Sequence, residues 1–274
     1  MVLIFCFLFL FIFSNHTYSS EIIQQRKIGS YKVIISLQKW DDEEKYQRLN
    51  ITHKGKTIYS EGELGTSIWI GNNFDESLNG KDPYSGRDLT GNGVPDLIIT
   101  KWRGGAHCCN FLTVFELSES SVKKIMTVDG GSYYFKIKDL DGDKIPEIEF
   151  WDWPIDYLFN SFSDSAQGRV VLKFINGKYH VASGLMYRKR PSNNKLDKLK
   201  DEIRKSFKDM GDRVPFELLN LMMELSYSGY NELAFKIAEE TWPRKRADFK
   251  KFKKEFKSAL GNSIYWSEFI LGKY

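Results

Sequence analysis

Asp88-Leu-Thr-Gly-Asn-Gly-Val-Pro-Asp96 runs into the apolar stretch Leu97-Ile98-Ile99, and Asp139-Leu-Asp-Gly-Asp-Lys-Ile-Pro-Glu147 runs into Ile148-Glu149-Phe150. One pattern is used twice. Side-chain oxygens recur at loop positions 1, 3, 5 and 9, glycine stands at 4, and proline at 8 leads into the last acid. A hard cation such as Ca2+ takes about six to eight oxygen ligands, partly from side chains and partly from backbone carbonyls. The first loop offers Asp88, Thr90, Asn92 and Asp96 with the carbonyl of Val94; the second offers Asp139, Asp141, Asp143 and Glu147 with that of Ile145.

An EF-hand would need a bidentate Glu at loop position 12 and helices on both sides. Position 12 is Ile99 or Phe150, and the flanks Leu97–Thr100 and Tyr133–Ile137 are β-branched or aromatic runs of strand length. The frame Asp-x-x-Gly-x-x-x-Pro-Asp/Glu between two strands resembles the calcium loops of FG-GAP/VCBS repeats, found in integrin-like β-propellers and many exported bacterial proteins. The likeness covers roughly residues 80–185. It implies structural calcium and propeller-like units. Loop one departs from the family in carrying Thr90 and Asn92 where acids are common, and loop two in ending on Glu147. With two carboxylates against four, loop two is expected to bind more tightly, because affinity in such loops rises with ligand charge.

Outward from the loops, the same order of elements appears twice. Loop one leads to Leu97–Trp102, a Gly-rich connection, Phe111–Leu117, a polar turn and Val122–Val128. Loop two leads to Ile148–Trp153, a longer connection, Arg169–Ile175, Asn176-Gly177 and Lys178–Ala182. The loops start 51 residues apart, a spacing found in propeller blades. Upstream, Tyr31–Leu37 alternates as a strand, Tyr46–Thr52 and Lys56–Ser60 flank a hairpin turn, and Ser67–Gly71 is a further short strand. A closed propeller is too large for this chain. After Pro191, apolar residues fall at helical spacing: Leu196, Leu199, Ile203 and Phe207, then Val214–Tyr227 ending at Gly229, Asn231–Trp242, the stripe Phe249, Phe252, Phe256 and Leu260 with Gly261 as its stop, and a short last helix. The expected fold is α+β, with an antiparallel β domain of propeller-like units, as an open sheet or small sandwich, and then a small all-α domain. The divisions are 1–20 signal peptide, 21–187 β domain, 188–194 linker and 195–274 helical domain.

Residues 3–13 are an uncharged apolar run of signal-peptide length, too short for a stable membrane anchor. Export is therefore expected. It would leave two cysteines, Cys108 and Cys109, side by side after the Gly104-Gly105 turn, and a disulfide between them is expected. His107 and a thiolate could form an acid–base pair, but a bridged cysteine would be inert. Carboxylate pairs of the kind glycoside hydrolysis uses exist in number, notably Asp152 and Asp156 in Trp151-Asp-Trp-Pro-Ile-Asp-Tyr157, and the surrounding aromatics either cover a core edge or stack on sugar rings or a peptide. Phosphate-cradling loops, His-Glu-x-x-His helices and Gly-x-Ser-x-Gly elbows are missing.

A formal charge of +4 over 274 residues, without a basic stripe interleaved with stacking aromatics, argues against nucleic acid. Arg244–Lys257 is locally rich in Lys and Arg, which reads as a solvated face or as a weak contact with an anionic envelope surface. The function expected is an exported calcium-binding protein that engages an unknown protein or carbohydrate ligand, and no catalytic constellation rises above background. The alternative is a hydrolase of a carbohydrate or envelope polymer with structural calcium.

Overall fold

The structure, a computed structural model, describes residues 18–40, 44–119, 121–210 and 213–272. Among the described residues, twelve strands form three four-stranded antiparallel sheets, each a meander in sequence order. The first holds β1 (Tyr18–Ile28), β2 (Tyr31–Trp40), β3 (Glu44–His53) and β4 (Lys56–Leu64). The second holds β5 (Ser67–Ile70), β6 (Asp96–Trp102), β7 (Asn110–Leu117) and β8 (Val122–Asp129). The third holds β9 (Lys136–Lys138), β10 (Glu147–Asp152), β11 (Gly168–Ile175) and β12 (Lys178–Val181). In the second and third sheets an acidic loop lies between the first and second strands, so the two units correspond strand for strand. The β12 hairpin closes on Asn176-Gly177, both at positive φ, as the right-handed twist of flanking strands demands.

One open sheet or a small sandwich was the expectation, and the observed arrangement is three sheets. Strand β6 explains why. Leu97 and Ile99 pack with Val33, Ile35, Leu49 and Ile51 of the first sheet, whereas Ile98 packs with Ile137, Ile148 and Val170 of the third. A strand buried on both faces needs no polar alternation, which is why Leu97-Ile98-Ile99 is continuously apolar. Strand β1 was not expected from the sequence; most of its residues, Glu21, Gln25 and Lys27 among them, are exposed. Residues 1–17, most of the expected signal peptide, lie outside the described residues, and Tyr18–Ser20 of that segment belong to β1.

Six α-helices follow among the described residues: α1 (Ser183–Met186), α2 (Asn193–Asp209), α3 (Phe216–Ser226), α4 (Asn231–Thr241), α5 (Phe249–Asn262) and α6 (Ile264–Leu271). Ser192 caps α2, accepting from the Lys195 N–H, so the expected linker 188–194 already contains a helix start. Gly261 does not stop α5, which runs on to Asn262; the Ser263 hydroxyl then caps α6 through the Trp266 N–H. The helices share one hydrophobic core with the second and third sheets. Leu218, Met222, Phe256 and Leu260 belong to the same cluster as Phe135, Phe150 and Val171.

Candidate metal centre

Each loop is wound by its own acids. Asp88 Oδ1 accepts from the N–H groups of Thr90 (3.1 Å), Gly91 (2.6 Å) and Asn92 (3.2 Å), and Oδ2 from Gly93 (2.7 Å). Asp139 takes the same place in loop two, accepting from Gly142 (2.7 Å) and Lys144 (3.0 Å). Asn92 and Asp143 then accept from the N–H groups of Val94 and Ile145, both at 2.8 Å, so these half-buried residues are held by the turn they follow. Side chains of Asp and Asn that bond their own backbone ahead are what make such tight turns form.

The last acid of each loop opens a strand and is buried. Asp96 and Glu147 are both 0% exposed. Asp96 Oδ2 accepts from Leu89 N–H at 2.7 Å, and Glu147 Oε2 from Leu140 N–H at 2.7 Å. The remaining oxygens, Asp96 Oδ1 and Glu147 Oε1, are buried without a hydrogen-bond partner. Burial pushes the Asp96 carboxyl up to about 7, the Leu89 N–H works against that, and the carboxylates of Asp88 and Glu116 add to it. Glu147 is also raised, chiefly by burial. At the loop mouths burial is overruled: backbone N–H groups hold Asp88 below the usual carboxylate range, and the Lys173 ammonium does the same for Asp143.

The donor set fits a hard cation. Asp139, Asp141 and Glu147 present carboxylate oxygens that all lie within 4.8 Å of one another, the one such group of three among the described residues. Two oxygens on one calcium at about 2.4 Å lie at most about 4.8 Å apart, so the cluster has the right size. Neither loop contains a histidine or cysteine, which sets the chemistry apart from that of zinc or copper sites. In loop one the acids at positions 3 and 5 are replaced by the buried Thr90 and by Asn92, whose amide donates to Glu116.

The loops are neighbours. A Cβ built on Gly91 would stand 2.3 Å from Ile145 Cδ1, so glycine at loop position 4 is needed here for close approach as well as for its φ of +73°. Tyr179 of β12 has a buried hydroxyl without a hydrogen-bond partner, and its pKa is raised by burial and then by Asp96, Glu147 and Asp88, carboxylates of both loops.

Two residues that sequence reading missed complete the picture. Glu116 on β7 pairs in register with Asp96. Continuing the β10–β11 register by one step places Lys173 opposite Glu147, and its ammonium contacts Asp141, Asp143 and, at 3.4 Å, Glu147 Oε1. Both stand inside runs assigned to strands, but the connections before them differ in length, so only pairing register shows that they occupy one position.

The other sequence candidates fall elsewhere. A disulfide joins Cys108 to Cys109, and His107 packs against Phe162 (4.4 Å between ring centres) and Tyr157. Neither sulfur is a thiolate there. Asp152 accepts from the Tyr227 and Ser263 hydroxyls and from Trp153 N–H, and is thus committed to tying α3 and α6 to β10. Asp156 accepts from Tyr133 at 3.2 Å, keeps its other oxygen unpartnered, and is pushed by burial up to about 6. It lines a cavity of about 640 Å3 with Trp153, Leu158, Glu255 and Asn262. Compared with known protein families, curated proteins and solved structures, the chain matches none.

Proposed function

We propose that this chain is an exported protein that holds calcium in its two acidic loops, where the ions are structural, and uses the β layers to bind a protein or carbohydrate ligand. The observation that carries the reading is the pair of fully buried terminal acids at the base of the wound oxygen cages: Asp96 has one oxygen without a hydrogen-bond partner, and the matching oxygen of Glu147 meets the Lys173 ammonium at 3.4 Å. A buried carboxylate that is only partly partnered is costly to keep ionised, and a cation at that place removes the cost. Calcium suits the site better than magnesium because it tolerates irregular oxygen cages, whereas magnesium keeps a near-ideal octahedron with several waters. The adjacent-cysteine disulfide supports an oxidising compartment. The basic segment Arg244–Lys257 leaves Lys250, Lys251, Lys254 and Lys257 exposed while Phe252 and Phe256 are buried, a face that supports weak contact with an anionic envelope surface.

Thermal unfolding with 1 mM calcium against EDTA tests this. A site of about 0.1 mM affinity would add about 1.4 kcal/mol, a shift of a few degrees. The shift should shrink when Asp139→Ala and Asp141→Ala are combined. Identical melting curves at every calcium concentration up to several millimolar would sink the proposal.

The cavity beside Asp156 favours a second reading, hydrolysis of a carbohydrate or envelope polymer with calcium structural. Its weakness is the partner acid: Asp152 is tied up by two hydroxyls, leaving Asp156 and Glu255 as the acids facing the space. On this reading Asp156→Asn abolishes release of dye from labelled polysaccharide or peptidoglycan. A wild-type protein inert on all such substrates removes it.

A further inference from the structure

Resting on the cation reading above, the geometry points to a second determinant of affinity outside the loops. We infer that the residue across the ladder from each terminal acid, Glu116 for loop one and Lys173 for loop two, sets that loop's affinity for a divalent cation, so that loop one, poorer in acids, fills first.

The argument begins with charge. Loop one has the carboxylates Asp88 and Asp96, and Glu116 adds a third, lying in register with Asp96 and held by the Asn92 amide. Loop two has Asp139, Asp141, Asp143 and Glu147, and Lys173 subtracts one. Counting only these acids and the two cross-strand residues, each centre comes to −3, and the advantage read from acid count disappears. What remains is occupancy of the cage itself. The Lys173 ammonium sits among three acids of loop two, two of which, Asp141 and Glu147, belong to the trio spaced for a cation. A divalent ion entering there must first separate those ion pairs and then tolerate a positive charge close by. In loop one the corresponding side chain is an acid. Its buried terminal carboxylate has an oxygen with no hydrogen-bond partner and lies across the ladder from the carboxylate of Glu116.

Lys173 has a second consequence. As a tethered cation it offsets part of the charge of loop two without metal, so that loop keeps its shape at low calcium. Loop one has no such substitute, and its order depends on the ion.

Calcium titration calorimetry on the full chain tests the assignment, with one loop silenced at a time. In an Asp96→Asn background, which reports loop two, Lys173→Met should tighten binding at least about tenfold, and Lys173→Gln should do the same. With Asp139→Ala and Asp141→Ala combined, which leaves loop one, Glu116→Gln should weaken binding by about tenfold. Without calcium, Lys173→Met should melt below the wild type and regain the difference when calcium is added. If both loops bind calcium but Lys173→Met and Lys173→Gln bind no tighter, this inference fails and the calcium reading stands. It also fails if loop two fills first in the wild type. If no variant binds calcium, both fail together.

Discussion

Asp96→Asn is expected to stabilise the metal-free protein by about 2 kcal/mol at pH 8 while abolishing calcium binding at loop one. The two effects share a cause. Asp96 is fully buried, with one oxygen bonded to Leu89 N–H and the other unpartnered. Carrying its carboxyl from 3.8 to about 7 costs the folded state roughly 4 kcal/mol once the group is ionised. Asparagine keeps the shape and the acceptor for Leu89 and removes the charge, but introduces an amide donor in need of a partner, which returns part of the gain. A protein that retains a costly acid at its core invites the conclusion that something else is bound there. Urea unfolding in EDTA and in calcium measures both effects. Loss of stability in EDTA at pH 8 would show that Asp96 is structurally satisfied by itself.

The same residue fixes a pH dependence. Its folded pKa is raised above the unfolded value, so the folded state holds the proton longer. The stability it contributes is complete below about pH 4 and is lost as pH rises through about 7. In EDTA, the wild type should therefore lose stability between pH 5 and pH 8 relative to Asp96→Asn, and calcium should flatten the difference.

These expectations combine what the sequence shows with what only pairing reveals. The loops were legible because their chemistry is local. An Asp that bonds the N–H groups two to five residues ahead, a glycine at positive φ and a proline before the last acid can be read from consecutive letters. The strands beyond them were legible from β-branched and aromatic runs, and the helices from a 3.6-residue apolar period. Glu116 and Lys173 were not, because a cross-strand neighbour depends on register, and register depends on connections of unequal length. Strand β1 was hidden for a different reason. Its exposed face is polar and its hydrophobic residues are few, so pairing with β2 stabilises it more than its own pattern announces it. Gly91 looked like a turn residue and is also a contact residue, since Ile145 of the other loop fills the space its side chain would take.

Gly168→Ala is expected to cost about 3 kcal/mol or more. Gly168 opens β11 and pairs with Asp152, the last residue of β10. A Cβ there would stand 2.3 to 2.6 Å from the Tyr227 ring, which is itself 2% exposed. The ring comes that close because the Tyr227 hydroxyl donates to Asp152, which also accepts from Ser263 at the start of α6. One rung of the third sheet therefore receives α3 and α6 together, and glycine leaves the room for it. Displacing Tyr227 would break a buried hydrogen bond to a carboxylate and open the core shared by strands and helices, so overpacking and an unsatisfied polar group add. A helical tail forming a domain of its own would unfold separately and feel little of this. Urea unfolding followed by far-ultraviolet dichroism and by tryptophan fluorescence decides the point. Coincident curves with a lowered midpoint in Gly168→Ala, and a change within about 0.5 kcal/mol in Gly184→Ala, where nothing stands within 4 Å, would show one cooperative unit. A helical transition unchanged by Gly168→Ala would separate the tail from the sheets and leave the 195–274 division intact.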